Sequence, residues 1–240
     1  MGIFPELAHT RKNPEITVTV KDDTSERSNT PMTDQIKAEK SRRIIFQEYS
    51  EALVVAVILA IIIRAFLIQA FKIPSSSMEP TLLIGDHILV NKFIYGVRVP
   101  FTHMRWPEFK TPQRGDVIVF VYPEDRTKDF IKRVVAIGGD TIEIRDKNVL
   151  VNGNLVRDPK VRHLDRNVRP RNRDPRDNMA QVKVPDGALF VMGDNRDYSA
   201  DSRFWGFVPV EDVKGEAFLI YYSAGSFPGI RWKRIGSIIR

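Results

Sequence analysis

The chain has 240 residues, a formal net charge of +7 and no cysteine. The absence of cysteine excludes disulfide bonds, thiol catalysis and cysteine-ligated metal sites. The positive charge suits nucleic acid, anionic lipid or simple solubility, so by itself it selects no partner.

The first 47 residues have the composition of a disordered tail. They are rich in Thr, Ser, Asn, Pro and charged side chains, with only scattered apolar residues. Such a segment buries too little apolar surface to offset the entropy lost on ordering. Four basic residues lie within residues 37–43, and the positive-inside rule therefore predicts that this tail is cytoplasmic.

An apolar segment from Ala52 to Phe71 follows, interrupted by Arg64. About 20 residues rising roughly 1.5 Å each span roughly 30 Å, the hydrocarbon thickness of a bilayer. Arg64 lies in the last third of the segment, from where a long side chain reaches the headgroups. We therefore predict one transmembrane helix over residues 48–70. The alternatives are a buried helix of a soluble domain and a cleaved signal, which the long polar segment before it disfavours.

Residues 71–240 are then predicted to form an extracytoplasmic domain that is large enough for a real core. Short β-branched runs alternate with Gly, Asn and Asp turn signals, and no helix-length amphipathic pattern follows Phe71. This pattern predicts a mainly β domain built from antiparallel sheet. The predicted strands cover residues 116–122, 130–137, 141–145, 148–151, 188–192 and 217–222.

Residues 157–180 differ in composition from the rest of this domain. Arginines are interleaved there with Asp, Asn and Pro, and apolar residues are few. The composition predicts a solvated loop between strands, with contact to lipid headgroups as the alternative. Nucleic acid is not expected as a partner, because no aromatic residues are interleaved and no recognition helix is evident.

Ser77 lies directly after the apolar segment, so a potential nucleophile is placed at a bilayer surface. The chain has four histidines, and none lies in a known catalytic motif. A Ser-His-Asp triad that uses His87 or His103 stays open at this point, because triads are defined in space, although His87 fits better as a strand residue. His9 lies in the tail and His163 in the arginine-rich segment.

Lys132 is the alternative base, because it lies within the apolar strand predicted over residues 130–137. A lysine that faces a low-dielectric interior has a lowered pKa and can take a proton from a serine. Adjacent side chains on a strand point to opposite faces, so we expect only one of Lys132 and Arg133 to face inward.

Four blocks in a fixed order resemble the type I signal peptidases, membrane-bound Ser/Lys proteases that remove secretory signal peptides. The blocks are residues 73–82, with Pro-Ser-Ser-Ser-Met-Glu-Pro; residues 85–96; residues 114–140, with Phe-Ile-Lys-Arg-Val-Val; and residues 193–209, with Gly-Asp-Asn-Arg-Asp-Tyr-Ser-Ala-Asp-Ser-Arg. The resemblance covers the anchor and most of the following domain. It departs from the usual pattern at Ser76, Gly138 and Tyr198, none of which is a reacting group.

The resemblance implies that Ser77 is the nucleophile and Lys132 its general base, with Ser199 hydrogen-bonded to the lysine amine. It further implies an oxyanion hole made by the Ser77 amide and the Ser75 hydroxyl. By the same resemblance, Asp194 pairs with Arg133 and Asp201 pairs with Arg203. Phe71, Ile73 and Ile131 correspond to shallow pockets that accept small residues, usually Ala-x-Ala, before the cleaved bond.

The resemblance also implies a location in the cell inner membrane, with the N-terminus cytoplasmic and no metal or cofactor. Its partners would be secretory preproteins. Because the domain is basic and follows a membrane anchor, membrane lipid, anionic lipid included, is the simplest further partner. Three rivals are weighed against it. They are a Ser/Lys self-cleaving repressor, which carries a DNA-binding domain instead of an anchor, a non-catalytic anchored adaptor, and a basic nucleic-acid module.

Overall fold

The computed structural model describes residues 46–61, 67–98, 105–106, 109–225 and 229–240. The predicted tail therefore lies almost wholly outside the described residues, and so do His9 and His103. The chain divides into two units, residues 1–54 and residues 55–240.

Residues 46–61 are helical, and we call this helix α1. Among the described residues, no helix has both the length and the apolarity needed to cross a membrane. The predicted segment 48–70 continues through residues 62–66, which lie outside the described ranges. Its last three residues belong to a strand, Ile68–Lys72, so the predicted helix extends too far toward the C-terminus.

The part of the chain that follows is built from short strands. In order they are β1 Ile68–Lys72, β2 Asp86–Asn91, β3 Val97–Arg98, β4 Arg105–Trp106, β5 Val117–Val121, β6 Asp129–Ile137, β7 Thr141–Arg145, β8 Asn148–Val151, β9 Asn154–Leu155, β10 Met179–Lys183, β11 Ala188–Met192, β12 Val208–Pro209 and β13 Val213–Ser223. The helical pieces after α1 are short: α2 Ser202–Trp205 and three 3-10 turns, Arg196–Tyr198, Val210–Asp212 and Trp232–Arg234.

These strands form antiparallel sheets, which confirms the predicted mainly β fold. One sheet has seven strands in the order β1-β2-β13-β5-β6-β11-β12, a second has four in the order β10-β7-β8-β9, and β3 pairs with β4. Strands β7, β8 and β11 have the predicted bounds, while β13 starts four residues earlier than predicted. The two-residue turns between β7 and β8 and between β8 and β9 use positive φ angles, as turn signals of this type favour.

Both faces of the seven-stranded sheet are covered around β5 and β6. Val117 and Val119 pack into one apolar cluster, while Ile118 and Phe120 pack into another on the opposite face. Because the paired strand β6 is central in the same way, Lys132 and Arg133 are both buried, at 4% and 3% exposure. The expectation that only one of them faces inward is therefore wrong.

The arginine-rich segment is more ordered than its composition predicted. Arg176 and Asp177 are buried, and Arg176 also contacts Asp165 at 3.0 Å. Lys147 reaches Asp197 at 2.8 Å, while the Asp197 carboxylate accepts from two backbone amides of the segment. The prediction of a solvated loop therefore fails at these inward-facing residues, and residues 179 and 180 belong to β10.

A buried carboxylate connects the C-terminal residues to the start of the domain. Asp86 is fully buried and accepts from the Leu83 amide at 2.8 Å, from the Ser223 hydroxyl at 2.6 Å, and from Arg231 and Arg234. Burial by itself raises the pKa of Asp86, but the hydrogen bonds from Arg234 and Ser223 outweigh it and lower the pKa below its ordinary value.

We expect Asp86→Ala to lower the free energy of unfolding by about 3 kcal/mol, because it removes the one buried carboxylate that two arginines and a buried hydroxyl share. Since the folded-state pKa is lowered, this contribution is present above the unfolded pKa and is lost as pH falls through the folded one. Urea unfolding at several pH values measures both effects.

The matched control is Asp129→Ala, which removes a surface pair with Lys214 and is expected to cost less than about 1 kcal/mol. Equal losses for the two variants would contradict the assigned role of Asp86.

Candidate active site

Ser77 lies on a tight turn that leaves the end of β1. The turn is closed by hydrogen bonds from the Glu79 amide to the Ser76 carbonyl, 3.1 Å, and from the Leu82 amide to the Met78 carbonyl, 2.8 Å. Met78 and Leu82 are fully buried in the apolar cluster under the turn. The backbone that presents Ser77 is therefore held from below, and its side chain is only slightly exposed.

The Lys132 amine meets this serine from strand β6, which is separated from β1 by three strands of the sheet. Its Nζ donates to Ser77 Oγ at 2.8 Å and to the Ile131 carbonyl at 3.1 Å. Nζ also lies 5.4 Å from the ring centroid of Phe130, so the amine is surrounded largely by protein atoms. No histidine of the described residues hydrogen-bonds to either group, which leaves lysine as the base within reach of the hydroxyl.

Burial lowers the pKa of Lys132 to about 8, because the charged ammonium loses its hydration there. The charge of Arg203 lowers the pKa further, while the carboxylates of Asp201 and Asp194 raise it. A lysine with this pKa is partly neutral near pH 8, and only a neutral amine can accept a proton.

Two ion pairs lie beside the dyad. Arg133 donates to Asp194 through Nε at 2.8 Å and Nη2 at 2.7 Å, and Thr81 also donates to that carboxylate. Arg203 binds Asp201 in the same two-pronged way at 2.8 Å, and Asp201 in turn accepts from the Gly193 amide at 3.0 Å. These are the two ion pairs that the family resemblance implied.

Comparisons with known proteins show the family of the chain. The family model described as "Signal peptidase, peptidase S26" matches residues 46–222. Signal peptidase I of Pseudomonas fluorescens is 38% identical over 222 residues, covering 79% of this chain and 78% of the relative. The chain belongs to the signal peptidase family, peptidase S26. It is accordingly a hydrolase of the type I signal peptidase class.

Other members are similar to a comparable degree. Signal peptidase I of Aquifex aeolicus is 39% identical over 226 residues, covering 72% of this chain and 83% of that protein. A crystal structure of a signal peptidase I from Enterococcus faecalis is 32% identical, with a TM-score of 0.37, covering 45% of this chain and 97% of that chain. The family assignment rests on the sequence matches.

Ser199 lies beside the dyad of this peptidase without making the predicted contact. Its buried Oγ has no hydrogen-bond partner among the described residues, so the expected bond to the Lys132 amine is not formed. The hydroxyl is nevertheless close enough to Asp201 to contribute to lowering the pKa of that carboxyl, for which burial is the largest, opposing influence. A Cβ at Gly193 would overlap both Ser199 Oγ and the Ser77 carbonyl, so glycine is required there.

The remaining predicted residues differ in how accessible they are. Ser75 is exposed, and its Oγ lies 3.4 Å from Ser77 Oγ. Phe71 and Ile131 are half-buried and pack on the apolar cluster, which leaves part of each available to a substrate. Ile73 is 2% exposed and belongs to the core itself, so it contributes little open surface to a pocket.

Asn195 is a functional candidate that the sequence analysis missed. Its backbone amide donates to the Ser77 carbonyl at 3.1 Å, and its side-chain Nδ2 donates to the Ser76 carbonyl at 3.1 Å. These two hydrogen bonds hold the turn that carries Ser77 against residues 193–203. The only sequence signal was its place beside Asp194, because an Asn in a loop has many other common uses.

We expect Asn195→Ala to lower kcat about tenfold with KM little changed, because one hydrogen bond that positions the serine is lost. Steady-state cleavage of a peptide substrate, with urea unfolding alongside, separates positioning from stability. Asn195→Asp is the matched variant of similar size, and it should lose a similar factor because it lacks the donor.

An unchanged kcat in both variants would show that the turn is held adequately without this side chain.

Proposed function

We propose that this peptidase is a membrane-anchored serine endopeptidase that removes N-terminal signal peptides from secretory preproteins, with Ser77 as nucleophile and Lys132 as general base. The observation that carries the proposal is the 2.8 Å contact between Ser77 Oγ and a buried amine of lowered pKa. Nucleophile and base within hydrogen-bond reach are the geometric requirement for this type of catalysis.

The reaction begins when the neutral Lys132 amine takes the proton of the Ser77 hydroxyl. Oγ then attacks the scissile carbonyl carbon, and the developing oxyanion accepts from the Ser77 amide and from the Ser75 hydroxyl. The lysine, now protonated, donates to the nitrogen of the departing chain, which leaves an acyl-enzyme. A water molecule deprotonated by Lys132 hydrolyses the ester and restores Ser77.

Ser199 is assigned a positioning role for the lysine amine once substrate is bound. Its hydroxyl is buried near Asp201 without a hydrogen bond among the described residues, and catalytic hydrogen bonds often shorten only in the substrate complex. The two ion pairs, Arg133 with Asp194 and Arg203 with Asp201, support the backbone of the site and do not react.

Substrate choice is assigned to the apolar surface next to the dyad. Phe71 and Ile131 offer partly exposed apolar side chains beside Ser77 and Lys132, with Ile73 as their buried support. A shallow site of this kind rejects large side chains by overlap, which suits a small-x-small sequence such as Ala-x-Ala before the cleaved bond.

The anchor, the cytoplasmic tail and the location in the inner membrane are proposed from the sequence alone. The basic residues before the apolar segment support a cytoplasmic N-terminus, and a single span must end before Ile68, where β1 begins. Lipid as a partner and the absence of nucleic-acid binding likewise stay predictions.

A non-catalytic adaptor is the second candidate, and the short contact between serine and lysine disfavours it.

The dyad is tested by cleavage of a purified preprotein by the full chain in detergent. We expect Ser77→Ala and Lys132→Ala to lose activity by about a thousandfold or more, since each removes a member of a unit that acts together. His87→Gln with His163→Gln is the control and should keep activity, because neither ring contacts the dyad. Activity retained in both dyad variants would assign the cleavage to another site, and inactive folded wild type would favour the adaptor.

The pH dependence tests the base. With the Lys132 pKa at about 8, kcat/KM should be low at pH 6, rise through pH 8 and level off above it, because only the neutral amine accepts the proton. The measurement is kcat/KM for a soluble peptide across this range, with circular dichroism to verify folding. A profile that stays flat across the range would contradict lysine as the base.

A further inference from the structure

In the arginine-rich segment, residues 157–180, the acidic side chains are bound by other groups of the protein. It contains eight basic and four acidic residues, so it carries a net +4 of the chain's +7. All four carboxylates are engaged by the protein: Asp158 by the Lys160 amide, Asp165 and Asp177 by Arg176, and Asp174 by Arg169. The acidic side chains are thus used to hold the segment together.

Most arginine side chains of the segment, in contrast to its carboxylates, are not bound by other groups among the described residues. Five of them are exposed, and their guanidinium groups make no hydrogen bond or ion pair within the described part of the chain: Arg157, Arg162, Arg166, Arg171 and Arg173. We call these five residues the arginine face. Because the carboxylates of the segment are occupied, this positive charge is not neutralised locally.

Exposed apolar side chains lie between these arginines along the segment. Leu164 and Val168 are each 46% exposed. Cationic and apolar side chains that alternate along one exposed segment are the composition of segments that rest in the headgroup region of a bilayer.

The arginine face is also close to the nucleophile. The Arg162 amide donates to the Asp194 carbonyl at 2.8 Å, and the Arg162 carbonyl accepts from the Arg196 amide at 3.0 Å. Asn195, between those two residues, donates to the Ser77 carbonyl at 3.1 Å. The segment is therefore one hydrogen-bonded layer away from the turn that carries Ser77.

We infer that the arginine face binds the phosphate groups of anionic phospholipids and so holds the active site at the bilayer surface. The inference rests on the proposed function, which brings the site to a membrane-inserted substrate. Guanidinium groups match phosphate geometry, and several cations spread over one segment suit an extended layer of phosphates. A pocket lined by Val168 and Arg171 includes one of the five arginines, and the other four do not line it. Their spread along an exposed segment suits an extended layer of phosphates better than an acidic peptide bound in one groove.

The test uses the full chain and a preprotein in nanodiscs of phosphatidylcholine alone or of phosphatidylcholine with phosphatidylglycerol. The variant replaces Arg157, Arg166, Arg171 and Arg173 by Gln and leaves Arg162 in place near the site. The control removes the same charge elsewhere on the surface, by Lys128→Gln, Arg145→Gln, Lys183→Gln and Lys214→Gln.

We expect phosphatidylglycerol to raise kcat/KM of wild type and control about tenfold, to lose this effect at high salt, and to have little effect on the arginine variant. Backbone amides of residues 157–176 should exchange hydrogen more slowly on the anionic nanodiscs. Cleavage of a soluble peptide should be equal in all three proteins, which shows that the dyad is intact.

An arginine variant that responds to phosphatidylglycerol as wild type does would overturn the inference. A loss of rate that is equal in both nanodiscs would overturn it too, and would assign the arginines to the substrate polypeptide. Absence of preprotein cleavage by wild type in every nanodisc and in detergent would instead count against the proposed function.

Discussion

The burial of one amine is the constraint on which the rest of this site depends. A lysine in water is protonated at neutral pH and cannot accept a proton from serine, so the fold must remove water from around Lys132. It does so by placing the residue on a central strand that is covered on both faces. The same desolvation costs folding free energy, which the surrounding apolar clusters must offset.

Charges close to the lysine are arranged so that burial decides its protonation. Asp194 and Asp201 would each favour the ammonium form, but each carboxylate is bound by an arginine through two hydrogen bonds. Pairing reduces the field that the carboxylates exert on the amine, and Arg203 acts against protonation directly. The ion pairs are thus compatible with a neutral lysine, although each contains a full negative charge close to it.

The position of Ser77 depends on contacts from distant parts of the chain. Met78 and Leu82 pack under its turn, and Asn195 donates to the turn from the side. Arg234 donates to the Thr81 carbonyl at 2.8 Å. Arg234 is in turn held by Asp86, so the C-terminal residues help to support the backbone near Ser77. Serine, lysine and these supports come together only when the strands are paired.

Six of the thirteen described strands and the candidate pair of Ser77 and Lys132 could be predicted from the sequence, because period-two apolar runs and the four motif blocks are local properties. It misjudged Arg133 and the arginine-rich segment, since burial on both sides of a strand and inward-facing ion pairs depend on what packs against them. It missed Asn195, whose role consists of two contacts across more than a hundred residues of chain. Which hydroxyl the amine contacts, and how far that amine is desolvated, follow from the folded arrangement alone, because both depend on distances between strands and on excluded water.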